Sequence, residues 1–179
     1  MARTEITTEA ELREIVDPPL PFIANKDTDH LDEVQQAFVT GSPLFFLATT
    51  NGEGLLDVSP RGDLPGSVLM LDDRTLAFPD RRGNRRLDSL RNLLVDPRVG
   101  MLFVRPGVTD ILRVNGHATV VRGADYRESL AIGEFVPEIT VEVRAEEVFW
   151  HCGNALRRSG TWDATTWTAF ERPAATARA

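Results

Sequence analysis

Lysine is nearly missing from this chain: Lys26 stands alone against 19 arginines. Cysteine is as scarce. With Cys152 the only one, no intramolecular disulfide can form, which excludes the disulfide-stapled secreted scaffolds. No apolar run approaches the roughly 20 residues that cross a bilayer. Residues 1–16 are charged and lack the apolar segment of a secretory signal. Together these absences make a cytoplasmic protein the expectation. Gly-x-Gly-x-x-Gly, Walker and Gly-x-Ser-x-Gly patterns are absent too, which counts against dinucleotide-fold, nucleotide-hydrolase and serine-esterase readings. His30, His117 and His151 are far apart and have no metal-ligand spacing, so no metal site is expected. Net positive charge is also lacking. A formal charge of -7 argues against a general nucleic-acid or membrane-surface binder. At 179 residues and 42% hydrophobic, the chain is long enough for one domain with its own core.

Against this acidic background, positive charge is concentrated in one window. Residues 78–92 read Phe-Pro-Asp-Arg-Arg-Gly-Asn-Arg-Arg-Leu-Asp-Ser-Leu-Arg-Asn and carry Arg81, Arg82, Arg85, Arg86 and Arg91. The planar guanidinium fork matches two phosphate oxygens at once. Asn84 stands where a helix is expected to begin, where its side chain can cap and the first free N–H groups point outward. Gly83 before it permits a tight bend. The plain alternative is a solvated charged face in a chain that uses arginine by habit. A nucleic-acid contact is disfavoured by the net charge and by the lack of a stacking row inside the cluster.

Around that window the chain reads as short strands with helices between them. Thr8 to Glu11 has capping-box spacing and opens a short helix. Residues 19–29 read as an extended arm. A helix is expected over 30–40, with Leu31, Val34 and Phe38 on one face and Gly41 as its stop. Strands are expected over 44–50 and 55–59, joined by an Asn51-Gly52 turn, then over 67–71 and 75–78 around Asp72-Asp73. A helix follows to residue 95 with Leu87, Leu90 and Leu94 on one face. Strands over 99–104, 111–121 and 139–148 complete the set, with helical stretches at 125–134 and 151–158. About seven short strands with hairpin connections predict a small antiparallel barrel, whose closure would remove sticky edges. A β-sandwich is the alternative. The expected organisation is an arm over 1–29, a single domain over 30–170 and a frayed tail over 171–179.

The order of these segments resembles a known family. Ser59-Pro60-Arg61-Gly62-Asp63 ends a strand and a hairpin follows. Next come the arginine window, Asp96-Pro97-Arg98-Val99-Gly100, Leu112-Arg113-Val114-Asn115-Gly116, and His-Cys-x-x-Ala-Leu-x-Arg-Ser from His151 to Ser159. Over roughly residues 31–162 this is similar to the FMN-binding split-barrel proteins related to pyridoxamine 5'-phosphate oxidase. The resemblance implies a mainly β fold, an antiparallel six-stranded split barrel with peripheral helices, working as a homodimer with FMN at the subunit interface. It implies an FMN phosphate on Asn84, Arg85 and Arg86, with Arg81 and Arg82 as further candidates, and the flavin ring along Ser59, Pro60 and Arg61. The second basic set that the vitamin B6 enzyme uses for its substrate has no convincing match here. Arg157 and Arg158 lie nearby in a different context.

Within that frame Arg61 is the candidate cation for the flavin's N1 and C2-carbonyl side, the alternative being a loop arginine paired with Asp57 or Asp63. Arg113 and Asn115 alternate with Leu112 and Val114, so they share one strand face, toward either solvent or the cofactor groove. Trp162 either stacks near a neighbouring subunit's flavin or packs the C-terminal segment. Cys152 is read as a small packing residue. The function expected is that of an FMN-dependent oxidoreductase acting on a small molecule. A non-catalytic flavin protein, or the same barrel holding F420 or haem, stands as the alternative. Haem would require His117 or His151 to face the pocket.

Overall fold

The computed structural model describes residues 4–24 and 26–169, and of Phe22 only the backbone. The tail expected at 171–179 lies outside the described residues. Helices α1 (Glu9–Arg13), α2 (Pro21–Ala24) and α3 (Glu33–Thr40) precede strands β1 (Leu44–Thr50), β2 (Leu56–Gly62), β3 (Leu69–Met70) and β4 (Thr75–Pro79). Helix α4 (Asp88–Leu93), strands β5 (Arg98–Val104), β6 (Ile111–Arg122) and β7 (Ile139–His151), and helix α5 (Asn154–Ser159) follow. Short 3-10 helices sit at Asp125–Leu130 and Ala164–Thr166. Among the described residues no helix is long and apolar enough to cross a membrane.

All seven strands join one antiparallel sheet in the order β2-β1-β5-β6-β7-β4-β3. This corrects the expected six-stranded barrel on two counts. The extra strand is the two-residue β3, too short to carry a periodic signal. The sheet is also not closed: among the described residues no ladder joins β2 to β3 or β4. Instead two ion pairs reach across the gap, Arg61 Nη1 to Asp80 Oδ1 at 3.6 Å and Arg81 Nε to Asp63 Oδ2 at 2.6 Å. Charged side chains from the end of β2 and just after β4 stand where barrel strands would pair.

The core lies inside the curl of this sheet. Phe45, Leu47, Leu76, Phe78, Met101, Phe103, Leu112, Val114, Val141 and Val143 are buried together. Phe45 meets Phe78 edge-on at 5.1 Å and Phe103 at 5.2 Å between ring centres. Each such side chain contributes on the order of 1.5–3 kcal/mol by leaving water.

The spine is the β6–β7 hairpin, and it holds a bulge. Asn115 pairs with Glu147, but Gly116 pairs with Ala145, so Glu146 is left over. The bulge switches the phase of β7: Val143 and Ala145 face the core before it, Val148 after it. It also turns Glu147 to the face of Arg113 and Asn115, and both donate to its carboxylate, Arg113 Nη2 at 3.0 Å and Asn115 Nδ2 at 2.5 Å.

Several helix expectations need correction. Helix α3 starts later than residue 30 because Asp32 caps it, accepting from Gln35 N at 2.8 Å in a capping box. The buried face is therefore Gln35, Phe38 and Val39, and Val34 is 68% exposed. Part of the extended arm forms α2, and the 125–134 stretch is only a short 3-10 turn. Strand β7 runs on to His151, which delays α5 to Asn154. Cys152 is exposed, so it is not a packing residue. The Asp32 cap gives a direct test: Asp32→Ala should cost about 1 kcal/mol, read as a drop of roughly 2–4 °C in melting temperature by circular dichroism.

Candidate functional site

Alternation along β2 builds one wall of the site. Asp57, Ser59 and Arg61 oppose Thr49, Leu47 and Phe45 of β1, so they share the inward face above the core. Pro60 faces outward opposite Phe46. The other wall is the segment after β4. Pro79 ends the β4 ladder with β7, and the Asp80 backbone N–H donates to Ile139 O at 2.9 Å. The chain then leaves the sheet carrying Arg81, Arg82, Asn84, Arg85 and Arg86.

That segment is not the first turn of a helix. Asn84 spends its side chain locally, its Oδ1 accepting from Arg86 N at 3.0 Å. Arg85 and Leu87 hold positive φ angles of 62° and 58°, the left-handed region that costs a side-chain-bearing residue about 1–2 kcal/mol. Helix α4 begins only at Asp88, with Leu87 as an N-cap that makes no side-chain bond. Its buried residues are Ser89, Leu90 and Leu93, whereas Leu87 and Leu94 are exposed, against the face expected from the sequence. Besides Leu90 and Leu93 in the core, two polar side chains fasten the helix. Ser89 Oγ donates to Asp57 Oδ2 at 2.9 Å, and Asn92 Nδ2, one turn on, donates to Thr49 Oγ1 at 2.9 Å.

Between these walls lies a cleft of about 720 Å³, within the range of small-molecule sites. Ser59, Pro60, Arg61, Arg81, Arg82, Asn84, Arg85 and Arg86 all line it, on a floor that includes Phe45, Phe78 and Ile139. The Arg82 guanidinium lies 5.1 Å from the centre of the Phe135 ring, which closes one side. Arg61 Nε and Arg81 Nη1 are buried and have no hydrogen-bond partner, a costly arrangement unless a ligand supplies acceptors. Arg61 pairs with neither Asp57 nor Asp63 but with Asp80. No histidine lines the cleft, so among the described residues none is placed as an axial haem ligand there.

Three of the expected residues are elsewhere. Arg113 and Asn115 lie on the outer face of the sheet with Glu147. There the Arg113 guanidinium stacks on Phe149 at 3.9 Å, and its Nε is buried and unpartnered. Trp162 donates from Nε1 to Val108 O at 2.8 Å, beside the β5–β6 connection.

Sequence reading assigns no role to Asp80 or Phe135. Phe135 has no local signal, since only the return of the chain into β7 brings it to the cleft. Burial pushes the Asp80 carboxyl above its ordinary value, and the nearby Arg61 charge opposes this only in part. A carboxyl raised in the folded state contributes stability that is fully present below its unfolded pKa and is lost as pH rises through its folded pKa. Asp80→Asn removes that loss. The variant should melt at or above the wild-type temperature at pH 7, with the difference shrinking on acidification toward pH 4. A variant less stable than wild type at pH 7 would refute this account.

A family model described as pyridoxamine 5'-phosphate oxidase matches residues 31–152. Among curated proteins, none matches the sequence. A solved structure of a putative pyridoxamine 5'-phosphate oxidase from Lactobacillus delbrueckii is 27% identical, covers 69% of this chain and 98% of its own, and superposes with a TM-score of 0.54. HupZ of Group A Streptococcus is 19% identical, covering 67% of this chain and 93% of its own, with a TM-score of 0.52. An FMN-binding protein from Syntrophomonas wolfei is 12% identical, covering 67% and 84%, with a TM-score of 0.52. The last two show a shared fold.

Proposed function

The chain belongs to the pyridoxamine 5'-phosphate oxidase family, and from that premise we propose that it is an FMN-binding oxidoreductase acting on a small molecule. The observation that carries the reading is the pair of buried guanidinium nitrogens, Arg61 Nε and Arg81 Nη1, left without acceptors in a cleft of about 720 Å³. An anionic, acceptor-rich cofactor fits such a donor set. Arg81, Arg82, Asn84, Arg85 and Arg86 would hold the phosphate, and Ser59, Pro60 and Arg61 the ring. When bound, FMN supplies the redox chemistry. The chain's own part is to neutralise the phosphate, orient the ring over the Phe45–Phe78 floor and exclude water from it.

The same reading takes residues 30–170 as the functional domain, 1–29 as an arm, and the cytoplasm as the location. It also takes the protein as a homodimer. Support comes from the outer sheet face, where Phe46, Leu56, Val58 and Leu102 form an exposed apolar strip across β2, β1 and β5.

A visible spectrum of the purified protein, with mass analysis of what heating releases, tests the cofactor. A yellow protein that releases FMN supports it. A colourless protein that also fails to take up added FMN overturns it. Turnover with a reductant and an electron acceptor then separates an oxidoreductase from a flavin carrier.

A further inference from the structure

The charges lining the cleft are divided unevenly, and the division says what each end can hold. On the 81–86 side, the Arg82 guanidinium lies over the Phe135 ring, and among the described residues neither Arg82 nor Arg85 has a carboxylate partner. That end has cationic charge to spare and suits a phosphate. The Arg61 end differs. There Asp80 stands 3.6 Å from Arg61, beyond hydrogen-bond length, and the two side chains are only 22% and 24% exposed. A dianion placed there would meet the carboxylate and be repelled.

Asp80 is also set apart from the other acids of the cleft. Asp57 accepts from Ser89, Asp63 pairs with Arg81, Asp88 pairs with Arg86, and Glu138 turns toward Arg127 at 3.7 Å. Among the described residues the Asp80 carboxylate accepts no side-chain hydrogen bond within normal length. Beside it the Arg61 Nε–H is buried with no acceptor. A carboxylate whose one charged partner is the long Arg61 Nη1 contact thus stands beside an Nε–H with no acceptor, over an apolar floor. The complement is a neutral, planar group that offers an N–H next to a C=O.

We propose that Arg61 and Asp80 form a donor–acceptor pair that reads an imide edge, Arg61 donating to a ring carbonyl and Asp80 accepting from the adjacent ring N–H. Resting on the flavin reading above, this assigns the pair to the pyrimidine edge of the isoalloxazine ring, with Asp80 accepting from N3–H. It gives Asp80, a carboxylate whose burial is unfavourable, a reason to be there. It also separates the duties of the arginines: Arg81 to Arg86 hold charge, and Arg61 with Asp80 selects a ring.

The test titrates flavin-free full-length chain with FMN and with N3-methyl-FMN, following flavin fluorescence. The methyl group removes the N–H and leaves the phosphate unchanged. Wild type should bind FMN roughly tenfold to a hundredfold more tightly than the methylated flavin, the range for losing one hydrogen bond to a charged group. Asp80→Ala should bind the two within about threefold of each other. Equal binding of both flavins by wild type overturns the inference and leaves the flavin reading intact. An alanine variant that keeps the full preference overturns it equally. Failure of both flavins to bind wild type overturns the flavin reading and this inference with it. The wild-type comparison needs no variant, so poor folding of Asp80→Ala would not remove the test.

Discussion

Gly116→Ala is expected to lower the melting temperature by roughly 6–12 °C, the equivalent of about 3 kcal/mol in a chain of this size. The reason is a close approach of two backbones. A Cβ at this position would lie 2.0 Å from Arg144 O, 2.9 Å from its carbonyl carbon and 3.1 Å from the Ala145 Cα. Backbone cannot swing aside as a long side chain can. The two strands of the spine would have to part, at the point where the bulge already removes a regular pairing. Overpacking against side chains costs about 1–3 kcal/mol, and a clash with backbone belongs at the upper end. The damage should also reach the outer face, because the bulge is what turns Glu147 toward Arg113 and Asn115. Thermal unfolding followed by circular dichroism measures the effect. A drop of less than 2 °C would mean that the bulge relaxes freely and that the glycine is not required.

The same bulge explains part of what could be read from the sequence and what could not. Strands β1, β5 and β6 were legible because their apolar residues alternate against a single buried face: Phe45 and Leu47, Val99, Met101 and Phe103, Leu112 and Val114. Strand β7 was legible only to Val148, two residues past the bulged Glu146. Past Glu146 the inward positions change parity, so 149–151 lose the period-two signal although they remain in the ladder opposite Ile111, Leu112 and Arg113. The cleft residues were visible as a charge cluster, but their backbone was not. An asparagine followed by polar residues reads equally as a helix cap or as a side-chain turn onto the second N–H beyond it, and Asn84 takes the turn. Nothing local announces positive φ at Arg85 and Leu87, since both types avoid it. The partners of Arg61 and Arg81 depend on how β2 meets the end of β4 across an open gap, a tertiary fact with no periodicity. Chemistry-bearing residues were therefore readable by type and order, and their pairings were not.

Replacing Arg85 and Arg86 together with alanine should weaken FMN binding by roughly a hundredfold or more, since two charge-assisted contacts to phosphate are removed at once. The variant should fold normally. The Arg86 side chain is 72% exposed, and its ion pair with Asp88 is of the surface kind that adds little stability. Arg85 sits at positive φ, and alanine carries the same Cβ, so the backbone strain is unchanged. This separates the pair from Arg81, whose guanidinium also bridges the open side of the sheet to Asp63, so that its loss would mix stability with binding. Equilibrium titration gives the affinity and a thermal melt gives the control. A melt within about 2 °C of wild type together with the loss in affinity puts the phosphate on this segment. A double variant that still purifies with a full complement of flavin would move the phosphate to Arg81 and Arg82. The strained turn at Arg85 and Leu87 would then need a different explanation, because strain of this kind persists where the bound group makes use of it.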